Sequence, residues 1–392
     1  MKIPFTNIEV KRAGFKNSIT PLKEQKAGVF TYQITPPVIV DADITNYKKY
    51  FEQAHGKYSQ QRVGIYDIYQ NALDFDAHLI ALIERRLLAT SGKAFQYTLA
   101  DEPNEAAKVI TDSPKFQKLI DDVLMVKFWG MGLFEFERSQ GGWLNYYLIP
   151  IKHVDPFRGV VMKDQVTQSD GDKSYIDVPT SVFLGDANDF GLLQQLSLIA
   201  MYKRAALGDW SQYSQLASTN FRVIKYRGSL PDPNSRLNIR DIVNNSGNGT
   251  MDLPPGVDVE TSNQTSSSQN QLFENYTKYL DDLMTKLVLG QTMTTENGSS
   301  RSQAEVHERT QEDIFDADGK YVLDVLNYEF YEVLNQLFGL PEGGRWSFVE
   351  SNTLKQVEEI ERDIKLKELG VMFTDAELRQ KYQLTPQQSA AL

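Results

Sequence analysis

LVLGQTMTTENGSSRSQAEVHERTQEDIFDADGKYVLDVLN, residues 287–327, holds the junction around which the rest of the chain is arranged. Its first residues end a helical run, QLFENYTKYLDDLMTKLVLG, that begins at Gln271 and breaks at Gly290. QTMTTENGSSR then forms a polar loop whose only apolar anchor is Met293. From Ser302 helical periodicity resumes and runs to Phe338 without an internal proline, closing at Gly339-Leu340-Pro341. A straight helix of about 37 residues would be roughly 55 Å long, with Gly319 as the candidate kink.

Upstream lies a second long helix. From Gly191, the residues Leu192, Leu196, Ile199, Tyr202, Ala206, Trp210 and Tyr213 stay in helical register. Between the two helices, Thr219 to about Ser268 carries short β-like runs (FRVIKYR, VDVE), four prolines and the polar tracts NNSGNG and SNQTSSSQNQ. That pattern predicts a small insertion. The order is therefore helix, insertion, helix, polar loop, long helix.

The N-terminal half predicts an α+β unit. Ile44 to about Thr90 reads as helical, with Ile68, Ala72, Phe75, Leu79, Leu82, Ile83 and Leu87 on one buried face. FQYTLA alternates as a strand, a helix starts near Ser113, and LFEFERS and WLNYYLIPI flank Gly141-Gly142 as a hairpin. Shorter strands are expected around 160–163 and 181–184. The leader up to Pro36-Pro37 has no sustained period, and the tail reads as two or three short helices with Thr374 and Glu377 as a capping box.

Composition bounds the function. The chain has 392 residues, 41% hydrophobic and 24% charged, which is ordinary globular usage and long enough for two or three packed units. It lacks cysteine, so disulfide frameworks, thiolate nucleophiles and cysteine zinc sites fall away together. The most apolar stretch, Val123 to Phe136, is interrupted by Lys127 and Glu135 and is too short to span a bilayer. No export signal is expected from the N-terminal residues either. A net charge of −11 disfavours tight gripping of a phosphate backbone. Residues 1–30 are locally basic, six Lys and Arg against Glu9 and Glu24, and read as a solvated flexible leader, with a partner-binding arm as the alternative.

The search for chemistry is mostly negative. There is no GxxxxGK[ST] loop and no GxGxxG opening a helix after a strand. The four histidines, His55, His78, His153 and His307, are not paired at metal-ligand spacing. Glu305, Glu308, Glu312, Asp313, Asp316 and Asp318 put carboxylates on adjoining faces of the long helix, a solvated or pore-facing surface rather than a divalent-cation site for phosphodiester cleavage. Ser299, Ser300 and Ser302 have no nucleophile context, and the four tryptophans are too scattered for a stacking platform. No catalytic residue, metal ligand or cofactor is assigned.

The 287–327 run resembles the signature of the Mu-like tailed-bacteriophage portal family: a helix ending in LGQT, a Thr/Gly/Ser-rich loop, then a helix with A-E-V-H-x-x-x-x-E-D, in that family's order. IPIKHVDP at 149–156 and the helical segment at 66–90 extend the resemblance over roughly residues 60–345. It implies an α+β portal fold: an N-terminal arm (1–37), a wing (38–190), stem helices (191–218 and 269–289) around a clip (219–268), a tunnel loop (290–302), a long wing helix (303–345) and a helical crown (346–392). It also implies a homo-oligomeric ring, dodecameric by expectation, assembled in the host cytoplasm and built into the virion. Double-stranded DNA would pass through it, while terminase, capsid and head-completion or adaptor proteins dock on it and no membrane is involved. Thr294, Thr295, Asn297, Ser299 and Arg301 are then the candidate DNA-channel loop residues. Arg222, Lys225, Arg227, Arg236 and Arg240, with Asp232 alone against them before Asp241, are the candidate basic docking face of the clip. The competing readings are a metal-dependent nuclease using the carboxylates near Glu308 and Asp313, and another phage head or tail component without a DNA-sized channel.

Overall fold

A computed structural model describes residues 24–33, 44–56, 59–100, 102–165, 170–218, 221–227, 232–245, 255–262, 267–291, 301–349 and 362–365. The helical run expected over residues 44–90 is three helices: α1 (Ile44–Ala54), α2 (Val63–Phe75) and α3 (Ala77–Ser91). Asp76 makes the second break. Its backbone is extended and its Oδ1 accepts the amides of His78 and Leu79, each at 3.0 Å, so it caps α3 with no glycine or proline to mark the turn. Ile65, Ile68, Ala72, Leu79 and Ile83 are buried as the periodicity requires, but Phe75, at the break, is 56% exposed.

Part of the leader, residues 24–33, is described and forms strands. β1 (Glu24–Ala27) and β2 (Phe30–Gln33) form an antiparallel hairpin whose Phe30 and Tyr32 are buried in the core. β3 (Phe95–Leu99) and β4 (Glu102–Pro103) follow, then the short α4 (Lys108–Thr111) and α5 (Phe116–Trp129). β5 (Met131–Arg138) and β6 (Leu144–Ile149) make the expected hairpin. β7 (Val154–Asp155), β8 (Val160–Val161) and β9 (Lys173–Ser174) form a small antiparallel sheet. β10 (Ser181–Gly185) joins the other edge of β5, giving the order β10-β5-β6.

β5 is buried for six successive residues because it divides two cores. Strand alternation sends Met131 and Leu133 into the core shared with β2, α2 and α3, and sends Phe134 and Phe136 into a second core with α5. Glu135 falls on the first face under the β1–β2 hairpin, where Val29 donates its amide to Oε1 at 2.6 Å. Gly28, at the turn with φ +52°, must be glycine: a Cβ there would lie 2.3 Å from that oxygen.

In the second half, α6 (Leu193–Ser218) and α8 (Ser267–Leu289) bracket β11 (Phe221–Tyr226), α7 (Pro233–Asn245) and β12 (Val257–Ser262). The β11–β12 hairpin follows the expected strand runs, whereas α7 comes from a stretch that reads as irregular. Asp232 caps it, accepting the amides of Asn234 and Ser235 at 2.9 and 3.1 Å, and Pro233 occupies the first turn, where its missing N–H costs nothing.

The long helix is not continuous. α9 (Arg301–Asp324) passes into a π-turn at Val325–Glu329, and α10 (Tyr331–Phe338) ends on Gly339 in the left-handed region. Gly319 is no kink. A Cβ there would sit 3.1 Å from the Phe348 ring, so the residue is small because β13 (Arg345–Phe348) crosses α9. β13 pairs with β3, Trp346 opposite Tyr97, so 345–348 closes a sheet of the N-terminal unit and does not begin the C-terminal segment. Of the region expected to be a helical crown beyond it, only residues 362–365 are described, as one helical turn.

Candidate functional site

α6 and α8 run antiparallel and are joined at two levels. Near the insertion, the Trp210 and Phe273 rings stack with centroids 6.3 Å apart, and Tyr213 lies 5.9 Å from the same Phe273 ring. Toward the α+β unit, Lys203 reaches Asp281 at 2.6 Å and Asp76 at 2.9 Å, tying both helices to the start of α3. His78 adds a contact of 3.0 Å to the Thr285 hydroxyl. That histidine therefore serves as a packing contact between α3 and α8.

The polar loop departs from the top of this hairpin. Gly290, at φ +76°, donates its amide to the Lys286 carbonyl at 3.0 Å, a left-handed stop that ends α8. The next residue, Gln291, is bonded through its side-chain amide to Gln311 of α9 at 2.6 Å, and Arg85 reaches Gln311 Oε1 at 3.3 Å. Arg86 holds both helices at once. Its Nη1 donates to the Val288 carbonyl at 2.9 Å, and Nε and Nη2 form a fork on Asp318 of α9 at 2.6 and 3.0 Å. Lys127 of α5 adds a second cation to Asp318 at 2.7 Å. Burial of Asp318, 1% exposed, works to raise its pKa, but the hydrogen bonds and charges of Arg86 and Lys127 outweigh burial and hold the carboxyl below its ordinary value.

Residues 292–300 thus leave from and return to helices fixed on one side by two adjacent arginines of α3. Thr294, Thr295, Asn297 and Ser299 lie outside the described residues, and Arg301 is described only as the first backbone position of α9. The sequence does not single out Arg85, Arg86 or Gln311, and marks Lys127 only as an interruption of an apolar stretch. Their signal, an arginine pair after Glu84 on an amphipathic helix, is weak without knowing what lies across from it.

The acidic run of α9 is not one surface. Glu312 and Asp313 are exposed, Asp316 is exposed and 3.4 Å from Lys93, and Asp318 points inward to Arg86 and Lys127. Its charge does not reach solvent, so the count of six pore-facing carboxylates is too high. Among the described residues no group of three or more His, Asp or Glu side chains could hold a metal ion, and no helix is long and apolar enough to cross a membrane.

In the insertion, Lys225 and Arg240 are exposed and Arg236 is half-buried on α7, while Arg222 is described only as a backbone position of β11. Arg227 is engaged with Asp258 of β12 at 2.7 Å. The hairpin also sets Asp258 opposite Lys225 and Glu260 opposite Val223. A run of cations counted along β11 alone therefore overstates how basic that face is.

The model of the family described as the portal protein of Mu bacteriophage matches residues 66–384. The chain belongs to this family. No curated protein matches the portal. Among solved structures, it resembles a chain from the virion of a native gene transfer agent particle, with 12% identity and a TM-score of 0.51 over 88% of this chain and 100% of that one. A chain from the neck of the native particle, computed with C12 symmetry, gives 13% identity and a TM-score of 0.51 over the same shares, 88% and 100%. An HK97 family phage portal protein from Corynebacterium diphtheriae, 12% identical, covers 71% of this chain and 94% of its own, with a TM-score of 0.39. The fold is that of phage portal proteins, a mixed helix and sheet architecture in which the α+β unit is followed by the α6–α8 hairpin, the β11–α7–β12 insertion between its helices, and α9. A portal is a structural protein of the phage particle.

Proposed function

We propose that this portal forms a closed ring whose channel passes double-stranded DNA into and out of the phage head, with residues 292–300 lining its narrowest part. The observation that carries the reading is the order of elements: α8 stops at Gly290, a polar run follows, and α9 starts at Arg301, with Arg86 tying Val288 near the end of α8 to Asp318 farther along α9. A net charge of −11 supports passage over capture, because each phosphate a protein neutralises adds affinity and slows sliding. Thr294, Thr295, Asn297 and Ser299 supply neutral hydrogen-bonding groups in the loop, with Arg301 at its base.

The clip, through Lys225, Arg236 and Arg240 with Arg222 on β11, is the proposed docking face for terminase, and head-completion or adaptor proteins bind around it. Twelve subunits is the expected number, by analogy with the C12 neck. A nuclease reading is not favoured, because the family model that matches is that of a portal protein. The test is deletion of residues 293–299, followed by ring microscopy and by the yield of DNA-filled heads. Intact rings with filled heads lost are expected; intact rings with normal filling would refute the assignment of the loop to the channel.

A further inference from the structure

Leu272, Tyr276, Tyr279 and Leu283 recur on α8 at spacings of four, three and four residues, the spacing of a coiled-coil seam. Leu272, Tyr276 and Tyr279 are 67%, 42% and 57% exposed. This seam lies about a quarter turn from the buried Leu280 and Met284, and nearly opposite Thr285, which contacts His78 of α3. It therefore faces away from the wing.

The other side of the stem has a complementary feature. Where α2 gives way to α3 and packs on α6, Ala72, Phe75, Ala200, Met201, Arg204 and Leu207 line an open cavity of about 230 Å³, room for one aromatic side chain. Phe75 and Leu207, on its rim, are 56% and 45% exposed. The heights also agree. Lys203 is level with Asp281 and Trp210 with Phe273, so Leu207, midway on α6, lies at the level of residues 276–279 of α8.

A cyclic ring needs two different patches that meet head to tail, and rotation about an axis running along the stem preserves height. Resting on the ring reading above, we infer that Tyr276 and Tyr279 of one subunit seat against the cavity between α2 and α6 of the next copy of this chain. The two patches lie on opposite faces of the hairpin, so they meet only between copies.

The absence of native cysteine makes the test direct. Tyr279→Cys and Leu207→Cys chains are co-expressed, purified as assembled protein and oxidised with copper-phenanthroline. A covalent dimer containing one chain of each kind is expected, and a ladder of multimers from the double variant. Tyr328→Cys, exposed elsewhere on the chain, serves as the control that should not couple to Leu207→Cys. Tyr276→Ser/Tyr279→Ser should raise the protein concentration at which rings half-dissociate by about tenfold or more, as truncation of buried interface tyrosines does. Rings seen by microscopy without the mixed disulfide would overturn this interface and leave the ring reading standing. Wild-type protein that stays monomeric at every concentration would overturn both.

Discussion

Arg86→Ala removes the residue that ties the end of α8 to α9. Three hydrogen bonds go: two to Asp318 and one to the Val288 carbonyl. Removing one partner of a buried ion pair costs about 3–5 kcal/mol when the other is left alone. Lys127 remains 2.7 Å from Asp318, which brings the electrostatic loss to about 2–3 kcal/mol, and the stranded Val288 carbonyl adds about 1 kcal/mol. The sum is about 3–4 kcal/mol. Urea unfolding should show this as a lower midpoint with an unchanged slope. Arg86→Ala and Asp318→Asn should also be non-additive by about 2 kcal/mol, because they break the same contact. Acid provides an internal check. Asp318 has a depressed pKa, so its contribution is present above the ordinary carboxylate value of 3.8 and is lost as pH falls through the lower folded value; the Arg86→Ala deficit should shrink over that window. A deficit under about 0.5 kcal/mol at neutral pH, the range of ordinary surface changes, or strict additivity with Asp318→Asn, would refute the clamp.

Two further outcomes follow from the buried carboxylates. Burial pushes the Glu135 carboxyl above its ordinary 4.5, only partly offset by the Val29 amide and Lys173, with Glu137 and Tyr32 nearby, and its Oε2 has no hydrogen-bond partner among the described residues. A raised pKa means stability is fullest below 4.5 and declines as pH rises through the folded value, so Glu135→Gln should be more stable than wild type at pH 7, with the gap closing near pH 4 in thermal melts. Asp76→Ala removes the cap of α3 and one of the two carboxylates on Lys203, and should cost about 1–2 kcal/mol, with faster amide exchange at His78 and Leu79.

The order of α6, the insertion, α8 and α9 is legible in the sequence because each is a local signal: helical periodicity, a cluster of turn residues, then periodicity again. The β5–β6 hairpin is legible for the same reason, through alternation around Gly141-Gly142. What escapes is set by contacts distant in sequence. Arg345–Phe348 is a strand only because β3 waits for it, Arg345 facing Thr98. Gly319 is small for Phe348, and Gly28 for Glu135. The breaks at Asp76 and at the π-turn after Asp324 carry neither proline nor glycine, so one continuous helix is the natural reading in both places. The clamp at Asp318 joins residues 232 positions apart, and no pattern within either helix announces it.

The most direct test is the native mass of the purified protein together with electron microscopy of the same fraction. A closed ring of about twelve copies, with a central hole wide enough for a DNA duplex, is the predicted result. A monomer that cleaves DNA in the presence of a divalent metal would contradict the account.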